Sequence, residues 1–212
     1  MKNNIDRNFP DIRNGIRAVC ENFPNKYWRN LDAKREYPSE FVHTLTENGY
    51  LAVLIPEEFG GSGLGIAAAA AILEEIHMSG GNAAACHAQM YTMGTILRHG
   101  SKTQKLTYLP KIASGEYRLQ AFGVTEPSSG SDTTRIQTTA KKEGDEYIIN
   151  GQKIWTSRAE HSDLMLLLAR TSPRETTEKR HKGISIFLIN LQDALENGLT
   201  IQPIRTMINH AT

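Results

Sequence analysis

Cysteine is scarce in this sequence. Only Cys20 and Cys86 occur in 212 residues, and a spacing this wide forms neither a CxxC redox motif nor a pair of zinc ligands. We expect both to be reduced, buried thiols of a cytoplasmic protein. The cysteine content therefore excludes a disulfide-stapled secreted scaffold.

An excess of charge and a long apolar run are also lacking. There are 24 basic and 23 acidic residues, giving a formal net charge of +1, so a nucleic-acid partner has no electrostatic support. The longest apolar run, residues 66–73, is far shorter than the roughly 20 residues that span a bilayer. Residues 1–10 are polar and lack the apolar middle of a secretory signal. We expect a soluble, cytoplasmic protein without a membrane span.

Several catalytic motifs are missing as well. No Gly-x-Ser-x-Gly elbow is present to indicate an acyl-transfer serine. The glycine cluster in residues 57–65 lacks the Lys-Ser/Thr ending of a phosphate-binding loop, so we interpret it as a tight turn before a helix. The N-terminal half of the chain contains four histidines, and no two of them have the spacing of a metal-ligand pair on a helix. They are His43, His77, His87 and His99.

Helical periodicity dominates the first half of the chain. Apolar residues at three- and four-residue spacing predict helices over residues 10–23, 39–48, 66–77, 82–99 and 102–109, with a final turn over 111–115. Residues 22–38 are expected to be irregular at first, with Pro24 as a breaker, and the sequence leaves open the conformation around the apolar anchors Tyr27, Trp28 and Leu31. We assign residues 1–117 to an all-α N-terminal domain.

The pattern changes to strands at about Tyr117. Strands are expected over residues 119–124, 134–140, 147–149, 153–155, 164–169, 184–189 and 199–204. Asn150-Gly151 predicts a two-residue hairpin turn. The sequence therefore predicts an α+β fold, in which an antiparallel β-barrel or sandwich domain, residues 118–212, follows the helices.

Residues 124–132, Val-Thr-Glu-Pro-Ser-Ser-Gly-Ser-Asp, follow the first apolar strand. Pro127 should end that strand. Gly130 can take a positive φ and lets a ligand approach the main chain closely. Backbone N–H groups and three serine hydroxyls suit an anionic or carbonyl-rich ligand. The alternative is an ordinary solvated loop after a strand.

A second candidate segment is Trp155-Thr156-Ser157. An indole beside two hydroxyls could form the wall of a site for a flat aromatic cofactor, with the hydroxyls bonded to ring heteroatoms. The alternative is a core tryptophan at the end of a hairpin strand.

Several strings, in the same order, resemble those of the acyl-CoA dehydrogenase family. They cover nearly the whole chain and comprise Ile-Pro-Glu-Glu-Phe-Gly-Gly at 55–61, Arg-His-Gly-Ser-Lys-Thr-Gln-Lys at 98–105, Tyr-Leu-Pro at 108–110, residues 122–132, residues 147–155 and Leu-Ala-Arg at 168–170.

The resemblance implies that FAD is held on the β domain. In the family, the segment that begins at Phe122 contacts the isoalloxazine and the pyrophosphate, largely through its backbone. Val124 and Thr125 would meet the ring, whereas Gly130 and Ser131 would meet the phosphate end, with Ser131 also near the acyl-CoA substrate.

The segment Trp155, Thr156 and Ser157 would cover the flavin on its other side, with Ser157 placed to bond near N5. The resemblance further implies α,β-dehydrogenation of an acyl-CoA thioester. A carboxylate removes the α proton, the β hydride passes to N5, and an electron-transfer flavoprotein accepts the electrons. A homo-oligomer is expected for the full-length form.

Two departures from the family pattern stand out. Arg158 occupies a position where the family usually has a small or amide residue. The chain also stops within the β domain, so the catalytic glutamate of the C-terminal helical domain is not among its residues, and Glu126 does not match that base. We expect no catalytic residue in this chain and no activity from it alone. The alternatives are a non-catalytic flavin or acyl-CoA binding module and a part of an acyl-CoA oxidase-like flavoenzyme.

Overall fold

The computed structural model describes residues 8–206. Within this range, residues 8–119 and residues 120–204 form two compact units. No helix of the described residues is long and apolar enough to cross a membrane. The two units are referred to below as the helical unit and the sheet unit.

The helical unit contains six α-helices. They are α1 (Pro10–Glu21), α2 (Asn25–Lys34), α3 (Ser39–Glu47), α4 (Ile66–Met78), α5 (Ala84–His99) and α6 (Lys102–Ser114). The apolar face of α1 is buried, and α1 packs against α4. Neither Cys20 nor Cys86 forms a disulfide, and both are buried, as expected.

Proline bears on two helices of this unit. Residues 25–34, whose conformation the sequence left open, form α2, because Pro24 precedes the helix and a proline is tolerated at a helix start. Pro110 lies inside α6 and does not end it. Leu109 and Ile112 on either side are fully buried, so core packing holds the helix together despite the lost backbone hydrogen bond.

The glycine cluster is a tight turn, as predicted. A 3-10 turn, Glu57–Phe59, is followed by Gly61. A Cβ on Gly61 would lie 2.1 Å from the Ile55 carbonyl oxygen. Gly61 is therefore required because the turn packs on its own backbone.

The sheet unit is built on five strands. They are β1 (Leu119–Gly123), β2 (Thr139–Glu143), β3 (Glu146–Asn150), β4 (Leu164–Arg170) and β5 (Ile184–Asn190), and a short helix α7 (Leu191–Glu196) follows. The strand order is β1-β4-β2-β3, with β5 also paired to β4. The pairs β2–β3 and β4–β5 are antiparallel, but β2 meets β4 in parallel at Thr139 and Arg170. The sheet is therefore mixed, and the expectation of a purely antiparallel sheet is wrong.

The predicted hairpin turn at Asn150-Gly151 is also wrong. The hairpin joins β2 to β3, with Glu143 opposite Glu146, so the two-residue turn contains Gly144. Gly144 has a φ of 63°, which this turn requires. Gly151 serves close packing instead, because a Cβ there would lie 2.4 Å from the Thr138 hydroxyl oxygen.

Three other predicted strands differ from the structure. Residues 134–140 begin as a 3-10 turn, Thr133–Arg135, and β2 starts only at Thr139. Residues 153–155 form no strand, and the φ of Trp155, 62°, lies outside the extended region. Residues 199–204 form no strand, and Pro203 removes one ladder donor from that stretch. Residues 207–212 lie outside the described range.

The apolar strands were predicted well. β1, β4 and β5 fall within one residue of the expected ranges, because continuous apolar runs are typical of strands that pack into a core. The core of the sheet unit contains Ala121 of β1, Met165 and Leu167 of β4, and Leu191 of α7, and β5 packs against it with the half-buried Phe187 and Ile189.

Candidate functional site

The loop after β1 is a turn that closes on itself. The Glu126 N–H donates to the Ser129 carbonyl over 2.8 Å, and the Ser129 N–H donates to the Glu126 carbonyl over 3.0 Å. Pro127 lies at the first inner position, where its fixed φ suits a β-turn. The Ser129 hydroxyl donates to the Asp132 carbonyl over 2.7 Å. Hydrogen bonds within the loop therefore fix its shape.

Gly130 and Ser131 lie at the exposed end of this loop. The expectation of a positive φ at Gly130 is wrong, because the turn from Glu126 to Ser129 already reverses the chain. A Cβ on Gly130 would meet no atom within 4 Å. Close approach of a ligand to the Gly130 main chain stays a prediction, and the space beside it leaves room for one.

Two segments of the sheet unit are joined by hydrogen bonds. After the predictions made from the sequence, we call residues 122–131 the first flavin segment. We call residues 153–158, which contain the predicted Trp155-Thr156-Ser157, the second flavin segment. The Ile154 N–H donates to the Thr125 carbonyl over 2.8 Å, and the Lys153 Nζ donates to the Val124 carbonyl over 3.1 Å. The two residues directly before Trp155 are therefore bonded to the first segment, whereas flavin binding by either segment stays a prediction. Phe122 lies in β1 and is half-buried.

The second segment has a strained backbone. Trp155 and Arg158 have φ values of 62° and 61°, and only four non-glycine residues of the described chain have a positive φ. The left-handed conformation costs about 1–2 kcal/mol for such residues. Strain of this kind persists only where the surroundings enforce it, and it clusters at functional sites. Trp155 is 54% exposed, so the alternative of a core tryptophan is wrong.

The Thr156 hydroxyl is the clearest unsatisfied group of the second segment. Its Oγ1 is buried and has no hydrogen-bond partner within residues 8–206. An unpaired buried hydroxyl costs about 1–3 kcal/mol. A ligand that offers a hydrogen-bonding atom here would recover that free energy. Ser157 follows it and is half-buried.

The Glu126 side chain links the two segments through hydrogen bonds. Its carboxylate accepts hydrogen bonds from the Gln137 N–H at 2.5 Å, from the Thr138 N–H at 2.9 Å and from the Lys153 Nζ at 2.8 Å. The side chains of Glu126 and Lys153 are only 3% and 9% exposed. This buried ion pair links the first flavin segment to the second and to the stretch before β2.

The pKa values of this pair follow from its surroundings. Burial alone would raise the pKa of Glu126, but the hydrogen bonds from Lys153, Thr138 and Gln137 outweigh burial and lower the pKa to about 2. Burial lowers the pKa of Lys153, although Glu126 opposes that shift. Glu126 is therefore ionised and fully engaged, so it is a structural carboxylate and a poor proton acceptor.

The ion pair is the part of the site that sequence reasoning missed. From the sequence, Glu126 is predicted only to lie in the loop after the first strand, and Lys153 only to lie in a strand. Two complementary charges inside otherwise apolar or small-residue segments were the available signal, since such charges are rarely buried without a partner. In the described part of the chain, no group of three histidine, cysteine, aspartate or glutamate side chains could hold a metal ion.

The residues present suit a flavin. An isoalloxazine ring needs a flat apolar wall and donors for its carbonyl and nitrogen acceptors, and the exposed Trp155 indole and the unpaired Thr156 hydroxyl have these properties. A pyrophosphate needs main chain that it can approach closely, as the open space at Gly130 allows.

Two family models match the chain. The model of the acyl-CoA dehydrogenase N-terminal domain matches residues 10–116, and the model of the middle domain matches residues 121–211. Acyl-CoA dehydrogenase FadE26 of Mycobacterium tuberculosis is 32% identical over 168 residues, which are 79% of this chain and 41% of that protein. The chain thus spans less than half the length of this relative.

Solved structures agree with this match. An acyl-CoA dehydrogenase from Geobacillus kaustophilus has a TM-score of 0.77 and 30% identity, over 84% of this chain and 46% of that one. The prolyl acyl carrier protein oxidase AnaB has a TM-score of 0.83 and 26% identity, over 95% of this chain and 53% of that one. A helical domain followed by a mixed-sheet domain, with both family models matched in order, shows that the chain belongs to the acyl-CoA dehydrogenase family.

Proposed function

We propose that this chain is the flavin-holding part of an FAD-dependent enzyme that oxidises an acyl-CoA thioester between its α and β carbons. The observation that carries the proposal is the buried Thr156 hydroxyl, which has no partner among the described residues. It lies in a segment that hydrogen-bonds to the first flavin segment at Thr125. A polar ligand beside the Trp155 indole would satisfy it.

The proposed roles divide along the first flavin segment. Phe122, Val124 and Thr125 contact the isoalloxazine. Gly130 and Ser131 contact the phosphate end through main chain that a ligand can reach, since the space beside Gly130 is open. Ser131 is exposed, and we assign its hydroxyl to the substrate side as well.

In the second flavin segment, Trp155 forms the wall of the ring site, and Thr156 and Ser157 donate hydrogen bonds to ring atoms. When bound, FAD supplies the acceptor for the hydride that leaves the β carbon. The Ser157 hydroxyl is proposed to donate at N5, because a donor fixed where negative charge develops lowers the barrier without reorganisation.

The base that removes the α proton is proposed to come from elsewhere in the protein. Glu126 is the only carboxylate within the first flavin segment, and it is held by Lys153 and two backbone N–H groups. A general base works best with a pKa near the working pH, whereas the pKa of Glu126 is about 2. On its own, the 212-residue chain should therefore show no dehydrogenase activity. It should bind FAD weakly, because both flavin segments belong to one unit and leave part of the cofactor in water.

The partners are proposed from family membership. They are an acyl-CoA substrate, an electron-transfer flavoprotein as electron acceptor, and further copies of the protein in a homo-oligomer. An oxidase is the second candidate, since a solved structure similar to the chain is an acyl carrier protein oxidase. Flavin reoxidation by oxygen as fast as by an electron-transfer flavoprotein would favour the oxidase.

The substitution Thr156→Val tests the flavin site. Valine has nearly the shape of threonine but removes the unpaired hydroxyl, so the variant without ligand should gain about 1 kcal/mol of unfolding free energy. The same change should weaken FAD about threefold to tenfold, because it removes one ligand hydrogen bond. Urea unfolding and a flavin-fluorescence titration measure the two effects.

The test is specific because Thr156→Val should raise the free energy of unfolding and lower the affinity for FAD. Thr139→Val is the matched control, because Thr139 is exposed and lies on β2, and it should leave FAD affinity unchanged. If Thr156→Val stabilises the chain and FAD binds as tightly as before, the hydroxyl does not face the cofactor. If the unsubstituted chain binds no FAD up to millimolar concentration, the flavin proposal itself is wrong.

A further inference from the structure

We infer that Lys153 is a positioning residue for the flavin. It holds the peptide between Val124 and Thr125 in one orientation and so aims the Thr125 N–H at the cofactor. The inference rests on the proposed function. It adds a residue that contacts neither the substrate nor the flavin in this scheme and acts through the main chain of the first flavin segment.

The contacts of Lys153 define a clamp. Its ammonium donates to the Val124 carbonyl at 3.1 Å and to the Glu126 carboxylate at 2.8 Å. The next residue, Ile154, donates its N–H to the Thr125 carbonyl at 2.8 Å. Two consecutive carbonyls of the first flavin segment are therefore held by two consecutive residues of the second.

The geometry of the peptide bond gives this clamp a direction. The described chain has no cis peptide bonds, and in a trans peptide the C=O and the following N–H point in opposite directions. Because the Val124 carbonyl points to Lys153, the Thr125 N–H points away from it. No hydrogen bond from that N–H is found within residues 8–206.

A cation on the carbonyl also strengthens the donor at the other end of the peptide. Hydrogen bonds in a chain polarise one another, and the effect is larger where the local dielectric is low. The Lys153 side chain is 9% exposed, so little water screens its charge. The Thr125 N–H should therefore donate more strongly to a flavin acceptor than an isolated amide does.

Glu126 keeps this cation in place. Its carboxylate is fixed by the N–H groups of Gln137 and Thr138, which directly precede β2. It therefore acts as a rigid counter-ion for Lys153. Lysine reaches both oxygens from the second segment, which a shorter or neutral side chain would not do. Through Glu126 and Lys153, the main chain at residues 137 and 138 thus holds the Val124 carbonyl in place beside the proposed ligand site.

The test compares FAD binding to the 212-residue chain and to its variants. Fluorescence titration gives the affinity, and amide NMR gives the FAD-induced shift of the Thr125 N–H signal. Lys153→Met should weaken FAD about tenfold or more and remove most of that shift. Lys153→Arg should keep the loss to about threefold, because the guanidinium can still donate to both oxygens. Lys141→Met is the control, because Lys141 belongs to the same unit and its side chain is 77% exposed. This variant should bind FAD as tightly as the unsubstituted chain does.

Lys153→Met leaves a buried carboxylate without its cation, which can prevent folding. The double variant Glu126→Gln with Lys153→Met removes that charge and retains an acceptor for one backbone N–H. We expect it to fold and to lose FAD affinity and the Thr125 shift as Lys153→Met does. If either variant folds and binds FAD within twofold of the unsubstituted chain, the inference is overturned while the proposed function stands. If the unsubstituted chain binds no FAD, both are overturned.

Discussion

The helical unit and the sheet unit each bury a carboxylate, and the two are neutralised in different ways. In the helical unit, Glu75 on α4 accepts hydrogen bonds from Arg13 at 2.7 Å and from Arg17 at 2.7 Å and 2.9 Å, and both arginines belong to α1. In the sheet unit, Glu126 is bound by Lys153 and by backbone N–H groups. The hydrogen bonds to Glu75 come from side chains alone, whereas those to Glu126 include two from main-chain N–H groups.

This difference separates two uses of a buried ion pair. Side chains that bridge α1 and α4 fix how two helices pack. A network that binds carbonyls and N–H groups fixes the path of the main chain, which is what a backbone-lined ligand site needs. We therefore expect damage to the Glu75 network to appear in stability, and damage to the Lys153 network to appear in ligand binding.

The largest expected effect is that of Glu75→Ala. The side chain of Arg13 is 5% exposed, and the substitution leaves this guanidinium without its main partner. Breaking a buried pair in this way costs about 3–5 kcal/mol of unfolding free energy. Urea unfolding followed by Trp28 fluorescence in a Trp155→Phe background reports on the helical unit, because the chain has only these two tryptophans.

Glu74→Ala is the matched control for that measurement. Glu74 also pairs with Arg13, at 2.7 Å, but its side chain is 36% exposed, so its loss should cost under about 1 kcal/mol. Equal costs for the two alanine variants would show that burial of the Glu75 network has no energetic consequence. The comparison between the units would then fail.

The pH dependence of the sheet unit gives the next effect. The folded pKa of Glu126, about 2, lies below the ordinary value of 4.5. The ionised carboxylate therefore stabilises the fold fully above pH 4.5, and this contribution is lost as the pH falls through 2. A shift of this size corresponds to roughly 3 kcal/mol. Unfolding of the sheet unit at pH 7, 4 and 2.5, followed by Trp155 fluorescence in a Trp28→Phe background, should show this contribution fading when Glu126 is present and absent in Glu126→Gln. A difference between the two proteins that stays constant with pH would contradict the assignment.

Sequence reasoning succeeded where the signal is local and repeated, and failed where tertiary packing decides. Helical periodicity located α1, α4 and α5, and apolar runs located β4 and β5. Single-residue signals were less reliable. Pro110 does not break α6, because its neighbours are buried. Asn150-Gly151 makes no hairpin, because the hairpin turn lies one strand earlier, at Gly144.

The candidate site shows the same limit. The motifs singled out residues 122–131 and 155–157, because their residue types are unusual in sequence, and flavin binding by these residues stays a prediction. The hydrogen bond between Lys153 and Glu126 joins residues 27 positions apart, and neither residue carries a local signal for that partner. The left-handed φ of Trp155 and Arg158 was likewise hidden, because neither is a residue type that favours it.

Two glycines extend the comparison of the units, since one is enclosed and the other is open. Gly61→Ala in the helical unit should cost about 1–3 kcal/mol of stability, because the new Cβ would overlap the Ile55 carbonyl oxygen. Gly130→Val in the sheet unit should change stability by under about 0.5 kcal/mol. It should nevertheless weaken FAD about tenfold, because the side chain fills the space proposed for the phosphate end. Urea unfolding and FAD titration separate the two outcomes, and unchanged FAD affinity in Gly130→Val would move the phosphate site elsewhere.

The smallest expected effect concerns two arginines in the left-handed conformation. Arg35 has a φ of 60° at the end of α2, where helices commonly adopt that conformation, and Arg158 has a φ of 61° within the second flavin segment. At each position, glycine and alanine both remove the side chain, so the difference in unfolding free energy between the two variants isolates the backbone strain. Glycine should be more stable than alanine by about 1 kcal/mol at each site. The backbone can relax at the exposed end of α2 more easily than in a segment fixed by Ile154 and Lys153, so the difference should be larger at Arg158. A larger difference at Arg35, measured by urea unfolding of all four variants, would show that the clamp does not enforce the strain at the site.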